Sequence, residues 1–292
     1  MIGEKRNTAE RDLVVFEAWP ANAQLEIKML ALFQCEVLEK LLTLYCAYSS
    51  AQSKWIGKEH IVAPTVERAL DNWQLIKQKK VLDVGCGTGH IGRKILENGA
   101  SEVVGLDNSE EMIGSAKKTF ESLKSDGKCQ FIHASVLDID LHGFDVIVSF
   151  FALHFLKNKQ ELSKAIRNIY NSLNNGGVLV ILVPNGVSNF NPNREEGQKF
   201  GAAINLKSDS DLYDGRRLCV EFFDNGDVVG SSEVTFFFNE TYEEILREAG
   251  FNKVQFLPPK ISQAGLQQYG EDFFRSYMNP PKDIIIRAYK AK

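Results

Sequence analysis

The segment at residues 81–92, VLDVGCGTGHIG, limits what this chain can fold into more than any other stretch. Four residues of strand character run into three glycines at alternate positions, Gly85, Gly87 and Gly89, and apolar residues at helical spacing follow. Because glycine lacks a Cβ atom, a turn of this kind lets a ligand approach the backbone and meet its N–H groups. The alternative interpretation is a tight strand–helix turn that holds no ligand.

The next segment, SEVVGLD at residues 101–107, predicts a second buried strand that ends in an acid. Asp107 follows the glycine turn by about 20 residues, the distance at which a carboxylate accepts hydrogen bonds from ribose hydroxyls. The glycine spacing is G-x-G-x-G rather than G-x-G-x-x-G, so the pyrophosphate fingerprint is incomplete. Ser109 is predicted to cap the helix that follows. Together these segments predict a Rossmann-like βαβ unit for an adenosine ligand.

Both segments resemble the first two motifs of the class I S-adenosylmethionine-dependent methyltransferases, here VLDVGCGTG and VVGLDNSEEMI. The resemblance implies S-adenosyl-L-methionine as cofactor. It also implies an α/β fold with a Rossmann-like, seven-stranded, mostly parallel sheet. The cofactor-binding residues that it implies along the two motifs are Asp83, Gly85, Cys86, Gly87, Gly89, Asp107, Asn108 and Met112.

A polar and aromatic helix face precedes the first motif. In residues 45–60 the side chains of Tyr45, Ser49, Gln52 and Trp55 fall at helical intervals. This resembles a helix of many small-molecule methyltransferases, Y-x-x-x-S-x-x-Q-x-x-W, in which the Tyr and Gln lie over the methionine end of the cofactor. Tyr45, Gln52 and Trp55 are therefore predicted cofactor contacts, and Tyr45 a catalytic residue as well. An aromatic face favours a sulfonium cation, whereas an ordinary amphipathic helix with a buried Trp is the alternative.

The predicted adenine end departs from the family pattern. Where the family often has a carboxylate facing the adenine amine, this chain has Ser135, with Asp138 further along. The backbone N–H of Val136 is expected to serve adenine N1, and Met112 and Val136 to form apolar walls for the ring. Ser135, Val136 and Phe150 complete the predicted cofactor contacts.

The fourth predicted strand ends beside the expected chemistry. Residues 144–151, FDVIVSFF, form an almost continuously apolar run, which is typical of a strand buried on both faces. His154 follows at the carboxyl end of the strand, where open α/β sheets bind ligands. It is the predicted catalytic residue that would take a proton from a hydroxyl acceptor, whereas a nitrogen with a free lone pair needs little base. A surface histidine at a helix start is the alternative.

A lid is predicted to interrupt the distal half of the chain. Residues 186–220 are loose in pattern, which is typical of a lid or binding element, although a disordered loop is the alternative. Residues 218–223 and 232–238 read as two strands around a turn at residues 224–227. The insertion at about residues 186–237 is therefore predicted as a β-hairpin or loop lid. Its phenylalanines would suit an apolar acceptor: Phe222, Phe223, Phe236, Phe237 and Phe238.

Five further elements are predicted from capping signals and apolar runs. A helix at residues 162–173 is expected to end in the turn Asn-Asn-Gly-Gly at 174–177, before a fifth strand at 178–183 that leads to Asn185. Thr241 is expected to cap a helix that ends at Gly250. The last strands are expected at residues 254–257 and 284–289, the final one as an antiparallel insertion in the sheet.

The distal half also narrows the resemblance. The segments NETYEEILREAGF, PPKISQAGLQQYGEDFF and NPPKDIIIRAYKAK look like the toxoflavin-biosynthesis type of methyltransferase, which N-methylates an electron-poor heteroaromatic substrate. The resemblance covers residue 45 to the C-terminus. It implies a methyltransferase domain at residues 45–292 behind a helical N-terminal extension at residues 1–44. The amphipathic pattern at 21–44 would suit a core helix, a cap on the active site or a dimer contact.

Composition excludes several classes of function. A net charge of −4 offers no broad field for nucleic acid or an anionic membrane, and no apolar run approaches the roughly 20 residues of a membrane span. Five cysteines without a C-x-x-C pair predict reduced thiols, a cytoplasmic location and no metal site. The expected partner is a small-molecule methyl acceptor, for a monomer or homodimer. O-methylation of an apolar carboxylate or hydroxyl, and a non-catalytic cofactor-binding module that regulates a partner, remain the alternatives.

Overall fold

The computed structural model describes residues 55–121, 128–206 and 212–292. All of them belong to one compact unit, Ala51–Lys292. The predicted boundary at residue 45 and the extension before it lie outside the described residues. Within the described part of the chain, no helix is both long and apolar enough to cross a membrane.

The described residues of this unit contain ten strands and eight α-helices. The strands are β1 Lys80–Val84, β2 Glu102–Asp107, β3 Cys129–His133, β4 Phe144–Phe150, β5 Leu173–Pro184, β6 Ala202–Asn205, β7 Arg216–Asp224, β8 Asp227–Phe236, β9 Lys253–Leu257 and β10 Asp283–Tyr289. The helices are α1 Ala63–Ala69, α2 His90–Glu97, α3 Glu110–Glu121, α4 Lys159–Ser172, α5 Arg194–Gln198, α6 Asn239–Ala249, α7 Gln263–Tyr269 and α8 Glu271–Met278. A π-helical turn, Lys58–Val62, precedes α1, and short 3₁₀ turns lie at Gln74–Ile76 and Leu153–Phe155.

Seven strands form the central sheet in the order β3-β2-β1-β4-β5-β10-β9. The first five in this order run parallel, and β10 is antiparallel to both β5 and β9. The predicted seven-stranded, mostly parallel sheet with an antiparallel insertion is thus confirmed. Since the parallel strands end at the same edge, the residues that follow them meet there.

The sheet is covered on both faces because its strand residues alternate between two hydrophobic clusters. Leu82 and Val84 pack with side chains of α4 and α6 on one face. Val81 packs with side chains of α1 and α2 on the other. A strand buried on both faces explains why the apolar residues Val81, Leu82 and Val84 of β1 do not alternate with polar ones.

The insertion is larger than the predicted hairpin. Strands β6, β7 and β8 form a separate antiparallel sheet, with α5 leading into β6. The predicted turn is confirmed, since Asn225 and Gly226 join β7 to β8 with φ values of 51° and 96°. The sheet has its own small core, in which Phe190 and Phe236 are buried with Leu218 and Val234. The added strand and this core were not predicted.

Two predicted boundaries were wrong. Residues 174–177 do not end helix α4 as a turn; they continue β5, whose first residue Leu173 pairs with Phe144 before a register shift. Thr241 does not cap α6, since Phe238 occupies the N-cap position. The carboxylate of Asp214, from the insertion, accepts hydrogen bonds from Phe238 N at 2.8 Å and Thr241 Oγ1 at 2.5 Å. The capping acceptor therefore comes from a distant segment.

Two other helix signals are confirmed. The Ser109 hydroxyl accepts a hydrogen bond from Met112 N at 3.2 Å, as an N-cap side chain does at the start of α3. Helix α6 ends at Gly250, which has a left-handed φ of 112°.

Candidate active site

The glycine turn after β1 is fixed to the end of β2. The amides of Gly85 and Cys86 both donate to the carbonyl oxygen of Leu106, at 2.7 and 3.0 Å. Gly89 N then donates to Cys86 O at 2.9 Å, directly before α2 begins. These bonds hold the turn at the carboxyl edge of the sheet.

The three glycines serve different purposes. All have left-handed φ values, 73° at Gly85, 52° at Gly87 and 78° at Gly89, which favour glycine. A Cβ at Gly85 would collide with the Cβ of Ala152 beyond β4, and one at Gly89 would lie 3.0 Å from the Phe120 and Phe131 rings. A Cβ at Gly87 would meet nothing within 4 Å. Gly87 therefore leaves open space beside the backbone, as a ligand site requires.

The Asp107 carboxylate is positioned by two backbone amides. Gly87 N donates to its Oδ2 at 2.8 Å, and Ser109 N donates to its Oδ1 at 3.0 Å. Each carboxylate oxygen has capacity for a further donor, and Asp107 keeps part of its surface accessible. Asp107, the predicted acceptor of ribose hydroxyls, thus lies beside Gly87, and these two hydrogen bonds fix the orientation of its carboxylate.

Asp83 lies buried behind the same turn. Asp83 is 2% exposed, and its Oδ2 has no hydrogen-bond partner among the described residues. Burial and, to a smaller extent, the negative charge of Asp107 raise the pKa of Asp83 to about 7, against the lowering effect of a backbone hydrogen bond from Gly92. An unsatisfied carboxylate oxygen in this position favours a cationic ligand nearby.

The Cys86 thiol is not a nucleophile. Burial raises its pKa well above the ordinary thiol range, and the nearby carboxylates Asp83 and Asp107 raise it further. The thiol is therefore protonated at neutral pH. A Cβ at Gly105 would lie 2.9 Å from Cys86 Sγ, so the small side chain fills space against β2.

The residues predicted to border the adenine follow β2 and β3, beside the glycine turn. Asp107 O accepts a hydrogen bond from Ala134 N at 3.0 Å, which places the residues after β3 beside the end of β2. Ser135 Oγ accepts from Leu137 N at 3.2 Å, and Val136 O accepts from the Asn168 side chain at 2.9 Å. Asn108 is exposed, and Met112, Ser135 and Val136 are half-buried. The structure brings these four residues to the same edge as Asp107.

The tip of β4 has a strained backbone. Phe150 ends the strand half-buried, and Phe151 has a φ of 55°, a left-handed value that non-glycine residues adopt rarely. A hydrogen bond of 2.8 Å from Phe151 N to Leu182 O stabilises this backbone conformation. Strained residues of this kind cluster at functional sites. Nothing in the sequence of residues 144–151 distinguishes Phe151.

His154 lies buried next to this tip, which excludes the surface-histidine alternative. Its side chain is 5% exposed between the rings of Phe151 and Phe155, with centroids 6.1 and 4.6 Å away. Its Nδ1 has no hydrogen-bond partner among the described residues. Burial lowers the pKa of His154 to about 3, so the imidazole is neutral at pH 7 and accepts a proton poorly.

A hydrogen-bond chain connects the insertion to the residues after β4. Thr235, which is buried in β8, donates from its Oγ1 to Leu156 O at 2.6 Å. Arg217 Nη1 donates to the same Thr235 oxygen at 2.6 Å. The insertion thus holds the segment that carries His154. The two residues in this contact are nearly 80 positions apart, and no sequence pattern predicted it.

Trp55 packs against the insertion. Its indole nitrogen donates to Phe223 O at 2.6 Å, and its ring stacks on Phe222 with centroids 5.8 Å apart. These contacts give Trp55 a part in holding the insertion, and its predicted cofactor contact stays a prediction. Tyr45 and Gln52 lie outside the described residues.

Asn185 is part of a closed polar network at the end of β5. It is 3% exposed; its Nδ2 donates to Pro281 O at 2.8 Å and its Oδ1 accepts from Asn239 Nδ2 at 2.9 Å. Its backbone N donates to Lys282 O at 2.8 Å. Asn185 therefore fixes the turn before β10 to the carboxyl edge of β5.

Comparison with known proteins finds a methyltransferase domain in this chain. Residues 81–177 match the model of a methyltransferase domain. The matched range begins in β1 and ends within β5. The matched range contains the glycine turn, Asp107 and the tip of β4. The fold and the matched domain imply S-adenosylmethionine as the cofactor.

Relatives match only part of their length. An uncharacterized protein of Haemophilus influenzae is 35% identical over 126 residues, 42% of this chain and 47% of that protein. The carboxy-S-adenosyl-L-methionine synthase of Campylobacter concisus is 32% identical over 108 residues, 36% of this chain and 44% of that protein. The chain thus spans about half the length of the curated relatives it matches.

Solved structures share the fold. An S-adenosylmethionine-dependent methyltransferase from Mesorhizobium loti superposes with a TM-score of 0.53 at 19% identity, covering 76% of this chain and 96% of its own. At this identity the similarity concerns the architecture of the sheet and its helices alone.

Proposed function

We propose that this chain, whose residues 81–177 match a methyltransferase domain and lie in a Rossmann-like sheet, transfers a methyl group from S-adenosylmethionine to a small molecule. The favoured acceptor is a nitrogen of a heteroaromatic compound or amine. One observation carries the proposal: the open glycine Gly87 donates its amide to the Asp107 carboxylate, at the edge of the sheet where ligands bind.

The residues present fit this cofactor. The open space at Gly87 admits a ligand against the backbone, and the oriented Asp107 carboxylate suits two ribose hydroxyls. The unsatisfied oxygen of Asp83 supplies negative charge for a ligand that carries a sulfonium and an ammonium. Asn108, Met112 and Val136 would border the adenine. When bound, S-adenosylmethionine supplies an electrophilic methyl group on a cationic sulfur.

Positioning should dominate the rate of such a transfer. In-line displacement requires the acceptor atom at about 3 Å from the methyl carbon and exclusion of water. The rings of Phe150, Phe151 and Phe155 border the end of β4 and would exclude water there. Because His154 is neutral and buried, it would orient neighbouring groups rather than take a proton. This favours a nitrogen acceptor over a hydroxyl that needs His154 as base.

The aromatic lid gives less support to an apolar acid or alcohol as acceptor. Of the insertion phenylalanines, Phe223, Phe236 and Phe237 are each 2% exposed and fill hydrophobic cores. Phe222 stacks on Trp55. The apolar surface left to receive a lipid-like acceptor is therefore smaller than the composition of the insertion suggested.

The test measures binding and transfer separately. Calorimetry should show binding of S-adenosylmethionine and of its demethylated product, and a labelled-methyl assay should then compare heteroaromatic amines with apolar carboxylic acids. Transfer to the amines supports the proposal, and transfer to the acids alone favours O-methylation. Binding with no transfer to either group would favour a non-catalytic module, and absence of binding would refute the proposal altogether.

A further inference from the structure

A half-buried acid and a half-buried tyrosine lie at the same edge of the sheet, outside the residues described above. Asp283 is the first residue of β10 and pairs with Pro184, the last residue of β5. Since β10 is antiparallel to β5, its beginning lies at the carboxyl edge of the parallel strands. Two strand spacings of about 4.8 Å separate it from the tip of β4, which places Asp283 on the acceptor side.

Tyr277 and Asp283 are held together by a short turn. The Tyr277 hydroxyl donates to Asp283 Oδ2. Lys282 N donates to Tyr277 O at 2.9 Å, which brings the end of α8 back over the start of β10. The Asn185 side chain binds Pro281 O in the same turn. The pair is thus fixed to β5 by the polar network at its end.

The pair borders the hydrophobic cluster of Phe200 and Phe274 without being fully enclosed by it. Both residues keep part of their surface accessible to solvent. The surrounding protein nevertheless desolvates them: burial raises the pKa of Asp283 to about 7 and that of Tyr277 well above its ordinary value. Groups that are desolvated yet accessible are typical of a concave surface that receives a ligand.

Aromatic rings flank this polar pair. Tyr277 packs edge-on against Phe200, with centroids 5.4 Å apart, and Phe273 packs against the same ring at 5.5 Å. Tyr269 stacks on Phe273 at 4.8 Å. A flat aromatic ligand with one hydrogen-bonding group would match a polar pair among such rings.

We infer that Asp283, oriented by Tyr277, binds the N–H of the methyl acceptor and takes its proton during transfer, so that the acceptor is an azole- or lactam-type heteroaromatic whose reacting nitrogen carries a hydrogen. The inference rests on the proposed function. As the nitrogen bonds to the methyl carbon, the carbon–sulfur bond breaks and leaves its electron pair on sulfur. The N–H proton passes to the Asp283 carboxylate.

Few charges act on Asp283. Within the described residues, Tyr277 is the titratable group that acts on it, and its hydrogen bond stabilises the carboxylate. The neighbouring Lys282 directs its ammonium elsewhere, to Asn191 Oδ1 at 2.7 Å and Pro280 O at 3.0 Å. Removing the tyrosine hydroxyl should therefore raise the pKa of Asp283, because the carboxylate loses its donor.

The first experiment uses binding alone. Indole, which has one N–H and no basic nitrogen, is titrated by calorimetry into protein loaded with S-adenosylhomocysteine, beside 1-methylindole, which lacks the N–H. We expect indole to bind about 10-fold more tightly at pH 8, as for one hydrogen bond to a charged group. The preference should fall below about 3-fold in Asp283→Asn, since a neutral amide is a weaker acceptor. Asp145→Asn, at the opposite edge of the sheet, is the matched control and should keep it.

The second experiment keeps the inference testable if Asp283→Asn does not fold. In the wild type the preference for indole should decline as pH falls through about 7, because the carboxylate takes up a proton. In Tyr277→Phe the midpoint of this decline should move to higher pH. A role of Tyr277 in packing alone would leave the midpoint in place.

The outcomes separate the inference from the proposed function. Equal binding of the two probes by the wild type, including no binding of either, overturns the role of Asp283, as does a preference that neither substitution changes. Binding of S-adenosylmethionine and methyl transfer are measured on the same wild-type protein, and their absence overturns the proposed function instead. Absence of the preference in the wild type, with cofactor binding and methyl transfer intact, therefore overturns the role of Asp283 alone.

Discussion

Gly87 and Asp107 are joined by a hydrogen bond of 2.8 Å from the glycine amide to a carboxylate oxygen. The bond links the turn after β1 with the end of β2, so one contact sets both the open backbone and the carboxylate beside it. A ligand that lies on Gly87 must therefore meet Asp107. This relationship makes the two residues the most direct test of the cofactor site.

The first prediction concerns Asp107→Ala. We expect S-adenosylmethionine to bind about 10- to 150-fold more weakly, since a hydrogen bond to a charged group contributes roughly 1.5–3 kcal/mol. Asp145→Ala is the control: Asp145 also accepts a backbone amide, from Lys80 at 3.1 Å, but next to the start of β4. Calorimetry on both variants checks the prediction, and equal affinities would withdraw Asp107 from the ribose site.

The second prediction compares two glycines with the same conformational demand. Gly87 and Gly143 have φ values of 52° and 87°, and a Cβ at either would meet nothing within 4 Å. Alanine at either position should cost about 1 kcal/mol of stability through backbone strain. Only Gly87→Ala should also weaken cofactor binding, because its methyl group would occupy the ligand space.

Thermal unfolding and calorimetry together decide this comparison. Equal losses of stability with unequal cofactor affinity confirm that Gly87 lies in the site. If both variants bind the cofactor as the wild type does, the open space at Gly87 is not where the ligand lies.

The sequence predicted the central sheet well because its signals are local. The glycine turn, the acid after β2 and the apolar run of β4 each report on a few neighbouring residues, and the observed strands agree with them. The cap of α6 could not be predicted, since its acceptor, Asp214, comes from the insertion. Strand β6 could not be predicted either, because it has only four residues and pairs with β7 across a stretch of irregular sequence.

The residues of the candidate site also divide into those that local sequence motifs display and those that tertiary contacts bring together. Gly87 and Asp107 belong to motifs that a sequence displays, whereas the strain at Phe151 and the pairing of Tyr277 with Asp283 arise from tertiary contacts. The burial of His154 was also hidden, because its position after a strand fits both a buried and an exposed side chain. The residues proposed to bind the cofactor therefore stand in visible motifs, whereas those proposed to bind the acceptor do not.

The third prediction is a pH dependence of cofactor affinity. S-adenosylmethionine is cationic, so it should bind more tightly as Asp83 loses its proton through about pH 7. The affinity should rise by up to about tenfold per pH unit between pH 6 and 8, the limit for one ionisation. In Asp83→Asn this rise should disappear, because the amide that replaces the carboxylate does not titrate. A rise of equal slope in the variant, measured by calorimetry, would assign the titration to another group.

The last prediction concerns His154, and it discriminates nitrogen from oxygen chemistry. Loss of a general base lowers the chemical step by about 10²–10⁴-fold, but a histidine whose pKa burial lowers to about 3 is a weak base at neutral pH. We therefore expect His154→Ala to lower single-turnover methyl transfer by less than about 100-fold, through positioning. His60→Ala is the matched control for the cavity, since His60 is also 5% exposed but binds Ser262 Oγ at 2.8 Å.

A stability measurement on the same variants checks the state of the imidazole. The folded pKa of His154 lies below the unfolded value of 6.5, so its contribution to stability is present above pH 6.5 and is lost as the pH falls toward 3. Between pH 6.5 and 5 the wild type should consequently lose more unfolding free energy than His154→Ala does. A transfer loss beyond about 100-fold with acceptor binding intact would identify His154 as a base and favour an oxygen acceptor.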